Sequence, residues 1–66
     1  MTVKELVLNS LETFDKFKIQ YSHQHGKVKE LMMNKELYER VADKEIEHFY
    51  LDTDSNKQPY ISLKLK

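Results

Sequence analysis

The sequence predicts an α+β domain in which two short helices pack on one face of a small antiparallel sheet, in the order α-β-β-α-β-β. Three observations carry that expectation. Apolar residues in the opening segment recur every three or four positions, later segments alternate with period two, and Asn34 is a capping residue between two such segments.

Thr2-Val3-Lys4-Glu5 has the pattern of a capping box, in which the threonine hydroxyl and the glutamate carboxylate satisfy each other's backbone amides. A helix should therefore begin at Val3. Val3, Leu6, Val7, Leu11 and Phe14 form one apolar stripe, while Lys4, Glu5, Asn9 and Glu12 face water and Leu8 falls outside the stripe. The helix should end by Asp15-Lys16. Phe17, Ile19 and Tyr21 then alternate with Lys18, Gln20 and Ser22 as a half-buried strand requires. Gly26, the only glycine, follows His23-Gln24-His25 and suits a hairpin turn. Val28 to Met33 reads as the returning strand, although the placement of Val28, Leu31 and Met32 also fits a helical turn.

Asn34 caps a second short helix with Leu37, Tyr38, Val41 and Ala42 on its apolar side, and Met33 is placed to pack on Tyr38. Ile46, Phe49 and Leu51 open a third strand, and Asp52-Thr53-Asp54-Ser55-Asn56 turns the chain. From Tyr60 to Lys66, Ile61, Leu63 and Leu65 point inward against Tyr60, Ser62 and Lys64 outward. Pro59 is tolerated at the start of that strand.

These elements form one domain over residues 1–66, short enough to bury only roughly 60% of its unfolded surface. No cysteine is present to staple it. The inward set is Val3, Leu6, Val7, Leu11, Phe14, Phe17, Ile19, Tyr21, Leu37, Val41, Ile46, Phe49, Leu51, Ile61, Leu63 and Leu65. Leu8, Leu31, Met32 and Met33 are left over, and a small sheet has two edges. A homodimer that buries Leu8, Leu31 and Met32 or pairs edge strands is the expectation, with a monomer offering a soft methionine surface as the alternative. The opening segment, with Glu5, Glu12 and Asp15, fits neither a signal peptide nor a membrane span, so a cytoplasmic protein is expected.

Candidate chemistry is sparse. Asp52, Asp54 and Asn56 match the first, third and fifth positions of a calcium loop, but Lys57 stands where glycine is needed and Leu63 where a bidentate glutamate is needed. The segment reads as a solvated turn. His23 and His25 are two potential metal ligands without a third, since His48 belongs to another strand, on the face opposite Phe49 and Leu51. No nucleophile elbow or phosphate-binding glycine loop occurs, so no catalytic residue, metal or cofactor is expected.

Charge is balanced overall, with eleven basic and eleven acidic residues, but it is unevenly distributed. Glu36, Glu39, Asp43, Glu45, Glu47, Asp52 and Asp54 meet only Arg40 and Lys44 between positions 36 and 54, a local net charge of minus five. Those acids, together with Tyr50 and Tyr60 as exposed aromatics, form the candidate partner-binding surface. A solvated helix and turn would have the same composition. Lys16, Lys18, Lys27 and Lys29, with Tyr21 nearby, are the competing candidates for a nucleic-acid contact.

TVKELV, FKIQYS, the glycine-bearing turn before VKELM, KEIEHFYLD and YISLKLK together resemble the small accessory proteins of phages and other mobile elements of Gram-positive bacteria. The resemblance covers nearly the whole chain, through fold-building patterns rather than catalytic signatures. It implies a cytoplasmic host setting and a non-enzymatic role, such as interference with a host machine or anti-CRISPR-like inhibition. The expected function is thus a protein-interaction module that inhibits or modulates a host protein. A small nucleic-acid-binding regulator using the basic first hairpin is the alternative.

Overall fold

The computed structural model of the chain describes residues 1–24 and 27–66, and side chains at all of these except 22–24 and 27. The elements are α1 (Val3–Ser10), β1 (Phe17–Gln24), β2 (Lys27–Met32), α2 (Lys35–Val41), β3 (Ile46–Thr53) and β4 (Pro59–Leu65). His25 and Gly26 lie outside the described residues, as does the His23 side chain, and with them the expected glycine turn and histidine pair. The segment that fitted both a strand and a helical turn is the strand β2.

The capping signals act as the sequence suggests. Thr2 Oγ1 accepts from the Glu5 amide at 3.2 Å while the Thr2 amide donates to Glu5 Oε1 at 3.0 Å. These bonds hold the Glu5 carboxyl below its ordinary pKa. Asn34 Oδ1 accepts from the Leu37 amide at 2.8 Å and starts α2. α1 ends at Ser10, a turn earlier than the apolar stripe, and the Phe14 amide bonds the Ser10 carbonyl at 2.8 Å. Leu11, expected inside, is consequently exposed, while Phe14 folds back onto the core.

The four strands are ordered β2-β1-β4-β3, and the sheet is mixed rather than antiparallel. β1 pairs antiparallel with β2, β3 antiparallel with β4, but β1 and β4 run parallel, with Phe17 beside Ile61 and Ile19 beside Leu63. The parallel pairing of β1 and β4 follows from α2. By carrying the chain back along the sheet it makes β3 run in the direction of β2, so the two hairpins meet through parallel strands. Alternation of period two is common to both pairings and could not distinguish them.

One hydrophobic cluster joins Val3, Leu6 and Val7 of α1 to Phe17, Ile19, Ile46, Ile61 and Leu63 of the sheet. Phe14, Met33, Leu37, Tyr38, Val41 and Leu65 pack against it, partly buried. Besides Leu11, three expected core residues, all on strands, stay outside. Tyr21 sits where the β1–β2 register shifts between Gln20 and Ser22, a bulge that interrupts the alternation and leaves its ring exposed. Phe49 and Leu51 share the core side of the sheet with their register partners Leu63 and Ile61, yet are 45% and 61% exposed because β3 is an edge strand beyond the cluster. Among the described residues, no helix is long and apolar enough to cross a membrane.

Candidate protein-contact surface

The sheet face away from the core carries a polar network that the sequence reading missed. Tyr60 and Ser62 point to this side from the central strand β4 and are buried, at 4% and 0% exposure. Tyr60 was expected as an exposed contact residue, and burial removes it from that surface. Its cover comes from the neighbours of a central strand. Lys18 Nζ lies 4.2 Å above the Tyr60 ring, and the Tyr60 hydroxyl lies 3.3 Å from Glu30 Oε1 and 3.4 Å from Asp52 Oδ2. Ser62 Oγ donates to Glu30 Oε2 and accepts from Gln20 Nε2 at 3.1 Å. Burial first, then the Glu30 and Asp52 charges, push the Tyr60 hydroxyl up to about 12. The one sequence signal for this network was the assignment of Lys18, Gln20, Tyr60 and Ser62 to the polar side of neighbouring strands.

The candidate acids divide into engaged and open ones. Glu45 binds the terminal ammonium at 3.0 Å, Glu47 binds Lys64 at 3.2 Å, and Glu36 binds Arg40 at 3.1 Å along α2. Asp54 is held most firmly. Its Oδ1 accepts from the Asn56 and Gln58 amides at 2.9 Å each, and its Oδ2 from Lys16 Nζ at 2.9 Å. The Gln58 amide chiefly, then Lys16, hold its carboxyl below the ordinary range. The calcium-like spacing is thus a turn whose Asp54 carboxylate is consumed by its own backbone. Asp52 likewise accepts from the Thr53 amide at 2.7 Å. Glu39 and Asp43 are exposed and form no ion pair among the described residues.

The competing basic hairpin is also partly consumed. Lys16 is paired with Asp54 and Lys18 rests on Tyr60, while Lys29 is exposed and the Lys27 side chain lies outside the described ones. Among the described residues, no three His, Cys, Asp or Glu side chains gather in an arrangement suited to a metal ion.

What remains open is β3. Seven of its eight residues are exposed, including Phe49 and Leu51 on one side and Tyr50 on the other. Three shallow grooves border it. One of about 330 Å³ is lined by Met1, Ile46, Glu47, His48 and Phe49, one of about 360 Å³ by Phe14, Leu51, Asp52, Thr53 and Pro59, and one of about 340 Å³ by Gln20, Val28, His48, Tyr50 and Lys64. Apolar side chains in a row on a sheet edge, rimmed by acids, suit contact with another protein. Comparison with family models, curated proteins and solved structures finds no match for the chain.

Proposed function

We propose that the chain is a non-enzymatic protein-interaction module that docks a host protein through the acids of α2 and the exposed strand β3. In the setting its resemblance implies, it acts as a phage-encoded inhibitor or modulator, in the manner of an anti-CRISPR. The observation that carries this reading is β3 itself: Phe49, Tyr50 and Leu51 lie exposed in consecutive positions, in a strand that also carries the exposed acids Glu47 and Asp52. Aromatic residues with an acidic rim favour a protein surface with basic and apolar groups. The engagement of Lys16 and Lys18 within the fold weighs against the nucleic-acid alternative.

Affinity capture from a Gram-positive lysate tests the proposal, comparing the chain with a Glu39→Lys/Asp43→Lys variant. A protein retained by the first and lost with the second is expected. Recovery of nucleic acid alone, with no protein, overturns it.

A further inference from the structure

The backbone of β3 has a sharply bounded free window. The Asp54 amide bonds the Gln58 carbonyl at 3.0 Å in the same register that pairs Asp52 with Tyr60, Tyr50 with Ser62 and His48 with Lys64. On the other side of β4, the Ile61 amide bonds Lys16 of the β1 side at 3.1 Å. Bonded pairs alternate along an antiparallel ladder, so His48, Tyr50 and Asp52 direct their amides and carbonyls toward β4, and Phe49 and Leu51 direct theirs outward. Both ends of the window are closed. The Ile46 amide is taken by the Met1 carbonyl at 2.8 Å, and the Thr53 amide by the Asp52 carboxylate at 2.7 Å.

This edge also lacks the usual protection. Natural sheets blunt their edges with lysine, proline or coverage by another element. The other edge, β2, carries Lys27 and Lys29, whereas Ile46–Thr53 contains neither lysine nor proline.

The open sequence His48-Phe49-Tyr50-Leu51-Asp52 is complementary to itself. Resting on the reading of β3 as a protein-contact surface, we infer that β3 pairs antiparallel with β3 of a second copy about a two-fold axis at Tyr50. In that register Phe49 lies opposite Leu51 of the second copy, which exchanges all the outward backbone bonds of both strands. His48 lies opposite an aspartate, Asp52 of the second copy, and the two Tyr50 residues face each other. A slip of two residues in one direction sets the occupied Thr53 amide against Phe49. A slip in the other direction sets the bulged Glu47, where the β3–β4 register shifts, against Leu51. Only the Tyr50-centred register uses the whole window. An isologous pairing of this kind closes on itself and ends growth at two copies. It leaves Glu39 and Asp43 of each copy outside the seam.

Because the chain contains no cysteine, a single substitution reports the register. Residues opposite each other in the non-bonded pair stand about 4.5 Å apart at Cα, within disulfide reach. Mild oxidation should therefore convert Tyr50→Cys to a covalent dimer. Leu31→Cys, more exposed than Tyr50 but on the opposite edge, should stay a single chain. For the unaltered protein, sedimentation equilibrium over about a hundredfold concentration range should show the mass rising toward two chains. Exchange of the Phe49 and Leu51 amides should slow by about tenfold or more at the high end. A constant one-chain mass overturns the pairing, as does cross-linking of Leu31→Cys in preference to Tyr50→Cys. Pairing uses only the backbone edge of β3 and leaves its side-chain faces uncovered, so neither result touches docking of a host protein, which is tested separately by capture with the Glu39→Lys/Asp43→Lys variant.

Discussion

Ser62 Oγ on β4 donates to the Glu30 carboxylate on β2, across the whole width of the intervening strand β1. Gln20 of β1 completes the bridge by donating to Ser62 at 3.1 Å, so three strands are tied on the side that no helix residue of the core cluster reaches. Ser62 is fully buried, and removing its hydroxyl leaves Glu30 and Gln20 short of a partner. Ser62→Ala should cost about 1–3 kcal/mol. Glu30→Gln, which keeps an acceptor for Ser62, should cost less. Urea unfolding of the two variants checks the order; equal midpoints for Ser62→Ala and the unaltered chain would show that the bridge contributes nothing.

Tyr60 gives the fold a limit at high pH. Its hydroxyl is pushed up to about 12 in the folded chain, whereas an unfolded tyrosine ionises near 10. The native state holds the proton longer, so the stabilisation is complete below about pH 10 and declines as the pH rises from there to about 12. Ultraviolet titration of the phenolates should show one delayed ionisation that disappears in Tyr60→Phe. Loss of stability across the same interval should shrink in that variant.

Lys57 has a φ of 61°, the one positive value outside glycine among the described residues. A side chain in the left-handed region costs on the order of 1 kcal/mol, which glycine avoids at some expense in unfolded-state entropy. Lys57→Gly should raise stability by about 0.5 kcal/mol and leave Asp54 capping the turn. A lower urea midpoint would show that Lys57 has a partner outside the chain or that the turn rearranges.

Acid should weaken the fold through the groups that begin α1 and shape the last turn. Glu5 and Asp54 both have lowered folded pKa values, the first mainly from the Thr2 amide and the second mainly from the Gln58 amide. The stabilisation from each is present above the ordinary carboxylate value of about 4 and is lost as the pH falls through the lowered one. Thr2→Ala, which removes the hydroxyl but keeps the backbone amide, should cost about 1 kcal/mol at neutral pH and reduce the acid dependence only in part. Urea midpoints at neutral pH and at about pH 3 check both effects.

Much of the fold could be read along the chain because its signals are local. The capping oxygens of Thr2 and Asn34 act within three residues, and the alternation of Ile61 and Leu63 follows from the pleat. What escaped depends on distant partners. Nothing near Phe49 says that β3 lies at an edge, and nothing near Tyr60 says that β4 lies between two strands whose side chains cover the ring. Both became legible only with the strand order. The acids of the candidate surface were visible, but their neutralisation was not, because Lys16 meets Asp54 and Lys64 meets Glu47 through the sheet rather than through sequence spacing.

The parallel seam between β1 and β4 makes cooperativity unavoidable. Phe17 and Ile61 are register partners at the centre of the sheet, yet they are separated by β2, α2 and β3 in the chain. Neither hairpin has a buried side of its own until the other arrives, since an isolated two-stranded ribbon is marginal in water. Closing so long a loop comes before any reward from the core, which favours folding in milliseconds or slower over the microseconds of a helical bundle. Hydrogen exchange should accordingly find the amides of Ile19 and Leu63 opening together, in one global event, with no hairpin surviving as a partly folded intermediate.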